Sequence, residues 1–179
     1  MKTHDLTYIA VCTALIAICS WISIPTTVPF TLQLFGVFFA VGLLGGKNGT
    51  FSVLVYILLG AVGLPVFAGF TSGFGVIAGP LGGFIIGFLI AALVMWSIEA
   101  IFGRKKQVVF ISMFVGLSLC YLAGTIRFIS FYNTQHSAIS VTSAIAICVL
   151  PYIIPDIIKL VMANVLSTQV RKLLKTDYR

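Results

Sequence analysis

Long apolar stretches, separated by short breaks rich in Pro and Gly, dominate this chain of 179 residues. No charged residue occurs between Asp5 and Lys47, or between Lys47 and Glu99. A helix that crosses the hydrocarbon core needs about 20 apolar residues, so each of these stretches can hold more than one span. Pro and Gly divide them, and the pattern predicts six helices at residues 6–24, 32–46, 49–64, 82–102, 107–130 and 140–174.

The composition indicates that lipid surrounds most of the molecule. Hydrophobic residues make up 60% of the chain, charged residues 8%, and the mean hydropathy is +1.15. A soluble domain carries about 25% charged residues. The low charged fraction of this chain excludes a water-soluble enzyme and also a nucleic-acid-binding protein, despite the net charge of +7. We predict one all-α domain over residues 1–179, a polytopic integral membrane bundle of six transmembrane helices.

The first apolar stretch could also be a removable signal peptide. It is long, however, and it ends at Trp21–Pro25 without a small-residue cleavage site. We therefore favour a retained first helix.

The basic residues predict the orientation of the bundle. Six spans bring both termini to one side, and that side receives Lys2, Lys47, Arg104, Lys105, Lys106, Arg171, Lys172, Lys175 and Arg179. An excess of Lys and Arg in short loops marks the cytoplasmic face. The sequence thus predicts a multi-pass protein of a prokaryotic cell membrane with cytoplasmic termini. Arg127 falls near the opposite, outer end.

Two charges remain inside a predicted span. Asp156 and Lys159 are three residues apart, which places them on one helix face, and Pro155 before them predicts a kink. Intramembrane charges are costly and usually functional. The pair could be a self-satisfied ion pair that only fixes packing. It could also clamp a ligand that has both N–H donors and a carbonyl acceptor, such as a cyclic urea or amide.

Glycines are concentrated before the fourth predicted helix, on the outer side. The segment from Gly69 to Gly83 is dense in glycine and carries no charge. This pattern predicts a non-helical loop whose backbone approaches a ligand closely. Interleaved phenylalanines, including Phe67 and Phe74, favour a packed lid over a floppy linker. Gln33 opens the second helix, where it either binds the ligand or caps the helix.

Helix one carries Ala10, Ala14 and Ala17 on one face in its cytoplasmic half. Small residues at this spacing allow another helix to approach, either within the chain or from a partner subunit. The chain has no Walker A sequence, no metal-ligand spacing and no nucleophile–base set, so we expect no catalytic residues, no metal and no cofactor.

These features together resemble the BioY family, the biotin-specific substrate-binding (S) subunits of energy-coupling-factor (ECF) transporters. The resemblance spans nearly the whole chain, and it is closest at VPFTLQ (28–33), LGAVGLPVFAG (59–69), GPLGGF (79–84) and PDIIK (155–159). The last stretch is similar to the family's Pro-x-Asp-x-x-Lys. The resemblance implies an S-component-like bundle that captures biotin with high affinity from outside.

The resemblance also implies roles for individual residues. The ureido ring of biotin would meet Asp156 and Lys159, aromatic side chains would pack on the rings and valeryl chain, and the carboxylate would point to the Gly-rich loop or Arg127. The expected ligand-binding residues are Asp156, Lys159, Gln33, Phe30, Thr31, Phe67, Phe74, Gly79, Gly82 and Arg127. The alanines of helix one would contact the transmembrane coupling subunit, which bears two ATPases.

Two alternatives stay open at this point. The same architecture could bind another vitamin, such as thiamin or riboflavin. A lipid-modifying intramembrane enzyme is less favoured, because Asp156 has no evident partner base in the sequence.

Overall fold

The computed structural model describes residues 3–135 and 139–174, and this part of the chain is almost entirely α-helical. The elements are α1 (Thr3–Trp21), β1 (Ser23–Ile24), β2 (Phe30–Thr31), α2 (Gln33–Leu44), α3 (Gly46–Ala61), a 3₁₀ turn (Ala68–Phe70), α4 (Phe74–Ala78), α5 (Gly82–Phe102), α6 (Lys106–Gln135), α7 (Val141–Cys148) and α8 (Ile153–Leu173). Strands β1 and β2 form a short antiparallel hairpin. Lys2, Lys175 and Arg179, which the predicted orientation uses, lie outside the described residues.

Four of the described helices are long and apolar enough to cross a membrane: α1, α5, α6 and α8. Helix α2 is apolar but has only 12 residues. The predicted spans one to five correspond to α1, α2, α3, α5 and α6, and the sixth corresponds to α7 and α8 together. The prediction of an all-α, multi-pass architecture is confirmed.

The sixth predicted helix is interrupted. The prediction had one helix over 140–174, whereas the structure has a turn at residues 149–152 between α7 and α8. Pro151 lies in this turn, where it needs no N–H for a helical hydrogen bond. Pro155 falls in the first turn of α8, where backbone N–H groups have no partner within the helix. Pro155 therefore does not kink a continuous helix as predicted, because the helix begins at that point.

Residues 66–81, which we call the lid segment, connect α3 to α5. The sequence predicts no helix here, but the structure contains the 3₁₀ turn and the five residues of α4. Gly69 and Gly73 adopt positive φ angles of 66° and 92°, which L side chains rarely adopt. These glycines allow the segment to fold back over the end of the bundle.

The helices approach one another closely where they carry glycine. A Cβ atom on Gly49 of α3 would lie 2.4 Å from the Cα atom of Val41 on α2. Gly83 and Gly87 of α5 meet the backbone of α6 in the same way. Contacts of this kind replace the hydrophobic driving force that lipid cannot supply. The largest fully buried side chains fill the space between the helices: Tyr56, Phe38, Phe67, Phe128, Ile16, Met95, Met113 and Leu160.

At one end of the bundle, side chains link the short turn between α2 and α3 to the short turn between α5 and α6. Arg104, after α5, donates to the carbonyl oxygens of Gly42 and Leu43 at 2.9 Å each, and so satisfies the end of α2. Glu99 accepts a hydrogen bond from the Gly46 N–H at 2.8 Å. We call this the turn end. The opposite end, with the β1–β2 hairpin, the lid segment and the turn at 149–152, is the loop end.

Replacing Gly49 by alanine should destabilise the bundle, because the added methyl group would collide with the α2 backbone. We expect a loss of about 1–3 kcal/mol in the free energy of unfolding, visible as a lower thermal midpoint of the purified protein. Gly75→Ala is the matched control, since a Cβ atom there meets no atom within 4 Å. Equal midpoints for the two variants would contradict the proposed close packing of α2 and α3.

Candidate ligand-binding site

A cavity of about 380 Å³ lies at the loop end, within the size range of small-molecule sites. The starts of α2, α5 and α8 contribute to it, together with part of α6 and the lid segment. Most of its wall is apolar, with Phe84 and Phe88 of α5 among the contributing side chains. The cavity suits a compact ligand that is largely apolar and presents a few polar groups.

The polar centre of the cavity is an ion pair on α8. The Lys159 ammonium lies 2.7 Å from Oδ1 of Asp156, and the two residues are only 6% and 7% exposed. Asp156 stands in the first turn of α8, where the helix dipole stabilises a negative charge. The Tyr121 hydroxyl on α6 donates to Oδ2 of Asp156 at 2.6 Å. Each carboxylate oxygen thus has one donor and still has a lone pair for a ligand.

Phe30 contributes to this centre indirectly. The Lys159 ammonium lies 3.8 Å from the centroid of the Phe30 ring, which is a cation–π contact. Phe30 itself is not among the residues that line the cavity. The ring therefore stabilises the ammonium, which keeps N–H groups for other acceptors.

Gln33, the first residue of α2, uses its side chain to contact α3. Its backbone N–H donates to the Thr31 hydroxyl at 3.3 Å, and its Nε2 atom donates to the Tyr56 hydroxyl at 2.8 Å. Within the described part of the chain, the Gln33 side chain bonds to Tyr56 and not to the backbone at the start of α2, so Gln33 does not cap that helix. Both Thr31 and Gln33 line the cavity.

The structure separates the other expected residues into two groups. Phe67 and Gly79, from the lid segment, line the cavity, and Phe67 is fully buried. Phe74 is 73% exposed and lies outside the cavity wall, because it begins α4 at the surface. Gly82 lies outside the wall as well, since it packs against the carbonyl group of Ile77. The structure thus places Phe74 and Gly82 away from the cavity, and their expected contact with the ligand stays a prediction.

Arg127 holds the lid segment from α6. Its guanidinium donates to the carbonyl oxygens of Ala78 and Gly79, at the end of α4. Arg127 does not line the cavity. In the structure Arg127 contacts the backbone of the lid segment, and its expected contact with the ligand stays a prediction.

The alanines of α1 do not share one environment. Ala10 and Ala14 are exposed, whereas Ala17 is 7% exposed and belongs to the hydrophobic core. The predicted three-residue face is reduced to Ala10 and Ala14, because Ala17 packs in the core of the bundle.

Sequence patterns alone missed three tyrosines that shape the site: Tyr56, Tyr121 and Tyr152. The Tyr152 hydroxyl donates to the Val28 carbonyl oxygen, and its ring stacks on Phe30 at 6.3 Å between centroids. Buried tyrosine hydroxyls usually find a partner, so tyrosines inside apolar spans were a usable signal. Their partners depend on which helices are neighbours, and that information is tertiary.

Comparison with known proteins gives a consistent result. The family described as "BioY family" matches residues 1–176. A biotin transporter BioY from Thermotoga maritima is 40% identical over 165 residues, which cover 90% of this chain and 92% of the relative. A probable biotin transporter BioY from Pyrococcus horikoshii is 38% identical over 175 residues, covering 96% and 98%.

One solved structure has the same fold. It is a crystal structure of the S-component for biotin from an ECF-type ABC transporter, and it superposes with a TM-score of 0.83 at 29% identity. The match covers 96% of this chain and 95% of that one.

Removing the Tyr121 hydroxyl should destabilise the protein, because the buried Asp156 carboxylate loses a donor. For Tyr121→Phe we expect a loss of about 1–3 kcal/mol in the free energy of unfolding, measured by thermal or denaturant unfolding. Tyr8→Phe is the control, since the Tyr8 hydroxyl makes no side-chain hydrogen bond in the described part of the chain. An unchanged stability of Tyr121→Phe would show that Asp156 does not depend on this bond.

Proposed function

The chain belongs to the BioY family, and we propose that it is the biotin-binding membrane subunit of an ECF-type vitamin importer. The support is threefold: the family match over residues 1–176, relatives named as biotin transporters, and the likeness to the S-component for biotin. The chain is accordingly a transport subunit and not an enzyme.

The observation that carries this proposal is the buried ion pair that faces an apolar cavity beneath a lid. A carboxylate accepts N–H groups, and an ammonium donates to a carbonyl oxygen. Asp156 and Lys159 lie side by side on the cavity wall, so they present an acceptor and a donor together. The ureido group of biotin has N–H groups and a carbonyl oxygen in the complementary order.

The rest of the ligand would follow the cavity wall. The fused rings and valeryl chain pack on apolar side chains such as Phe67 and Phe84. The carboxylate points to the backbone of the lid segment near Gly79, which lines the cavity. Arg127 acts through that backbone, because its guanidinium donates to the Gly79 carbonyl oxygen.

We place the loop end outside and the turn end in the cytoplasm of a prokaryotic cell. Lys47, Lys105 and Lys106 are all exposed at the turn end, which fits the excess of basic residues on cytoplasmic faces. Because the predicted orientation brings the cavity to the outer side, biotin would enter from outside. Both termini would then be cytoplasmic.

Energy for uptake would come from partner subunits. We propose that a transmembrane coupling subunit with two ATPases docks on the exposed side of α1 at Ala10 and Ala14. Small side chains there allow close helix approach.

Binding of biotin to the purified protein tests the proposal. We expect Asp156→Asn and Lys159→Ala to weaken binding about 100-fold each, because each loses a charge-assisted hydrogen bond to the ureido group. Lys47→Ala is the control, since Lys47 is exposed at the turn end, and it should bind like the wild type.

Two outcomes would count against this assignment. If both cavity variants bind biotin as strongly as the wild type does, Asp156 and Lys159 do not bind the ureido group. Desthiobiotin keeps the urea group. Displacement of bound biotin by thiamin but not by desthiobiotin would therefore contradict the assignment of biotin as the ligand.

A further inference from the structure

The β1–β2 hairpin, which connects α1 to α2, forms part of the cavity wall. Val28 and Pro29, in its loop, line the cavity. The two strands have only two residues each, and the loop between them, residues 25–29, contains no helix or strand. Hydrogen bonds between the strands therefore fix little of this loop, and its position depends on contacts with other elements.

Tyr152 provides such contacts from the turn before α8. Its hydroxyl donates to the Val28 carbonyl oxygen, and its ring stacks on the Phe30 ring. Its own carbonyl oxygen accepts the backbone N–H of Asp156 at 2.8 Å. Tyr152 therefore leads into the helix that carries the ion pair and also holds the hairpin beside that pair.

The Val28 carbonyl oxygen has a second donor, which comes from the loop itself. The Thr26 hydroxyl donates to it at 2.5 Å and lies 3.1 Å from the Tyr152 hydroxyl. Of these two donors, only Tyr152 joins the loop to another element. Removing the Tyr152 hydroxyl would release the loop from α8 without leaving the Val28 carbonyl group unpaired.

Phe30, in β2, limits the directions in which Lys159 can donate. An ammonium group has three N–H groups. One N–H of Lys159 donates to Oδ1 of Asp156 at 2.7 Å, and the Phe30 ring, 3.8 Å from the nitrogen, occupies a second direction. Among the described residues the ammonium has no further partner. One N–H is therefore left for a ligand in the cavity, which Lys159 lines.

We propose that Tyr152 is a positioning residue that acts through Phe30 to direct the remaining N–H of Lys159 toward the ligand. The inference rests on the proposed function, in which Lys159 donates to the ureido oxygen of biotin. Phe30 then acts on the ammonium and not on the ligand. A single directed N–H favours a ligand that presents one carbonyl oxygen at this end of the cavity.

The test measures the affinity for biotin of the purified wild type, Tyr152→Phe, Phe30→Leu and the double variant. Tyr152→Phe keeps the ring, and Val28 keeps its bond from Thr26, so we expect a near-native thermal midpoint. Each single variant should weaken binding about tenfold, as expected for the loss of one well-directed hydrogen bond. The double variant should bind no more weakly than Phe30→Leu, because Tyr152 acts through Phe30.

A second background separates this role from a direct contact, since Tyr152 also lines the cavity. In Lys159→Met, which has no N–H to direct, Tyr152→Phe should cause no further loss. A hydroxyl that bonded the ligand itself would cost the same tenfold in both backgrounds. Thr26→Val is the matched control, because it removes the other donor to Val28 and keeps the link to α8, and it should bind like the wild type.

Three results would overturn the inference and leave the proposed function intact. They are wild-type affinity of Tyr152→Phe, additive losses in the double variant with Phe30→Leu, and an undiminished loss in the Lys159→Met background. If Lys159→Met binds too weakly to be measured, the comparison with Phe30→Leu decides alone. If the wild type does not bind biotin, the proposed function and this inference fail together.

Discussion

The buried ion pair between Asp156 and Lys159 imposes the main physical constraint on this molecule. Removing two charges from water is expensive, and their mutual attraction offsets that cost only where geometry and further hydrogen bonds are good. The surroundings supply them. Asp156 lies in the first turn of α8 and receives the Tyr121 hydroxyl, while Lys159 lies against the Phe30 ring. The turn before α8 therefore stabilises the ion pair, because it places the first turn of a helix at the cavity.

The two ends of the bundle differ in how they are closed. At the turn end, Arg104 and Glu99 tie two tight turns together through backbone groups. At the loop end, the chain needs room for a cavity and a cover for it. Glycines with positive φ at positions 69 and 73 let the lid segment fold over, and Arg127 holds its carbonyl groups in place. A bundle that is closed at one end and covered at the other suits the capture of a small ligand.

The sequence was informative where a single physical rule applied. Charge gaps predicted the membrane spans, and an intramembrane Asp–Lys pair at i, i+3 predicted the polar centre. Prediction failed where several elements meet. Pro155 lies in the first turn of α8 because a turn precedes that helix. Phe74 and Gly82 lie off the cavity because of the position of α4, and Ala17 is buried in the core. Tyr121 and Tyr56 belong to helices whose neighbours the sequence does not specify. Whether the expected residues bind the ligand stays a prediction.

The most direct test measures whether the ion pair is needed for ligand binding or for the stability of the fold. The double variant Asp156→Asn, Lys159→Met removes both charges and keeps similar volumes, and its thermal unfolding would be measured with and without excess biotin. Replacing a buried pair by neutral groups is often neutral or stabilising, and a ligand raises the midpoint only if it binds the folded state. We predict a ligand-free midpoint equal to or above that of the wild type, with no upward shift by biotin. A strongly lowered midpoint that biotin still raises would contradict the account.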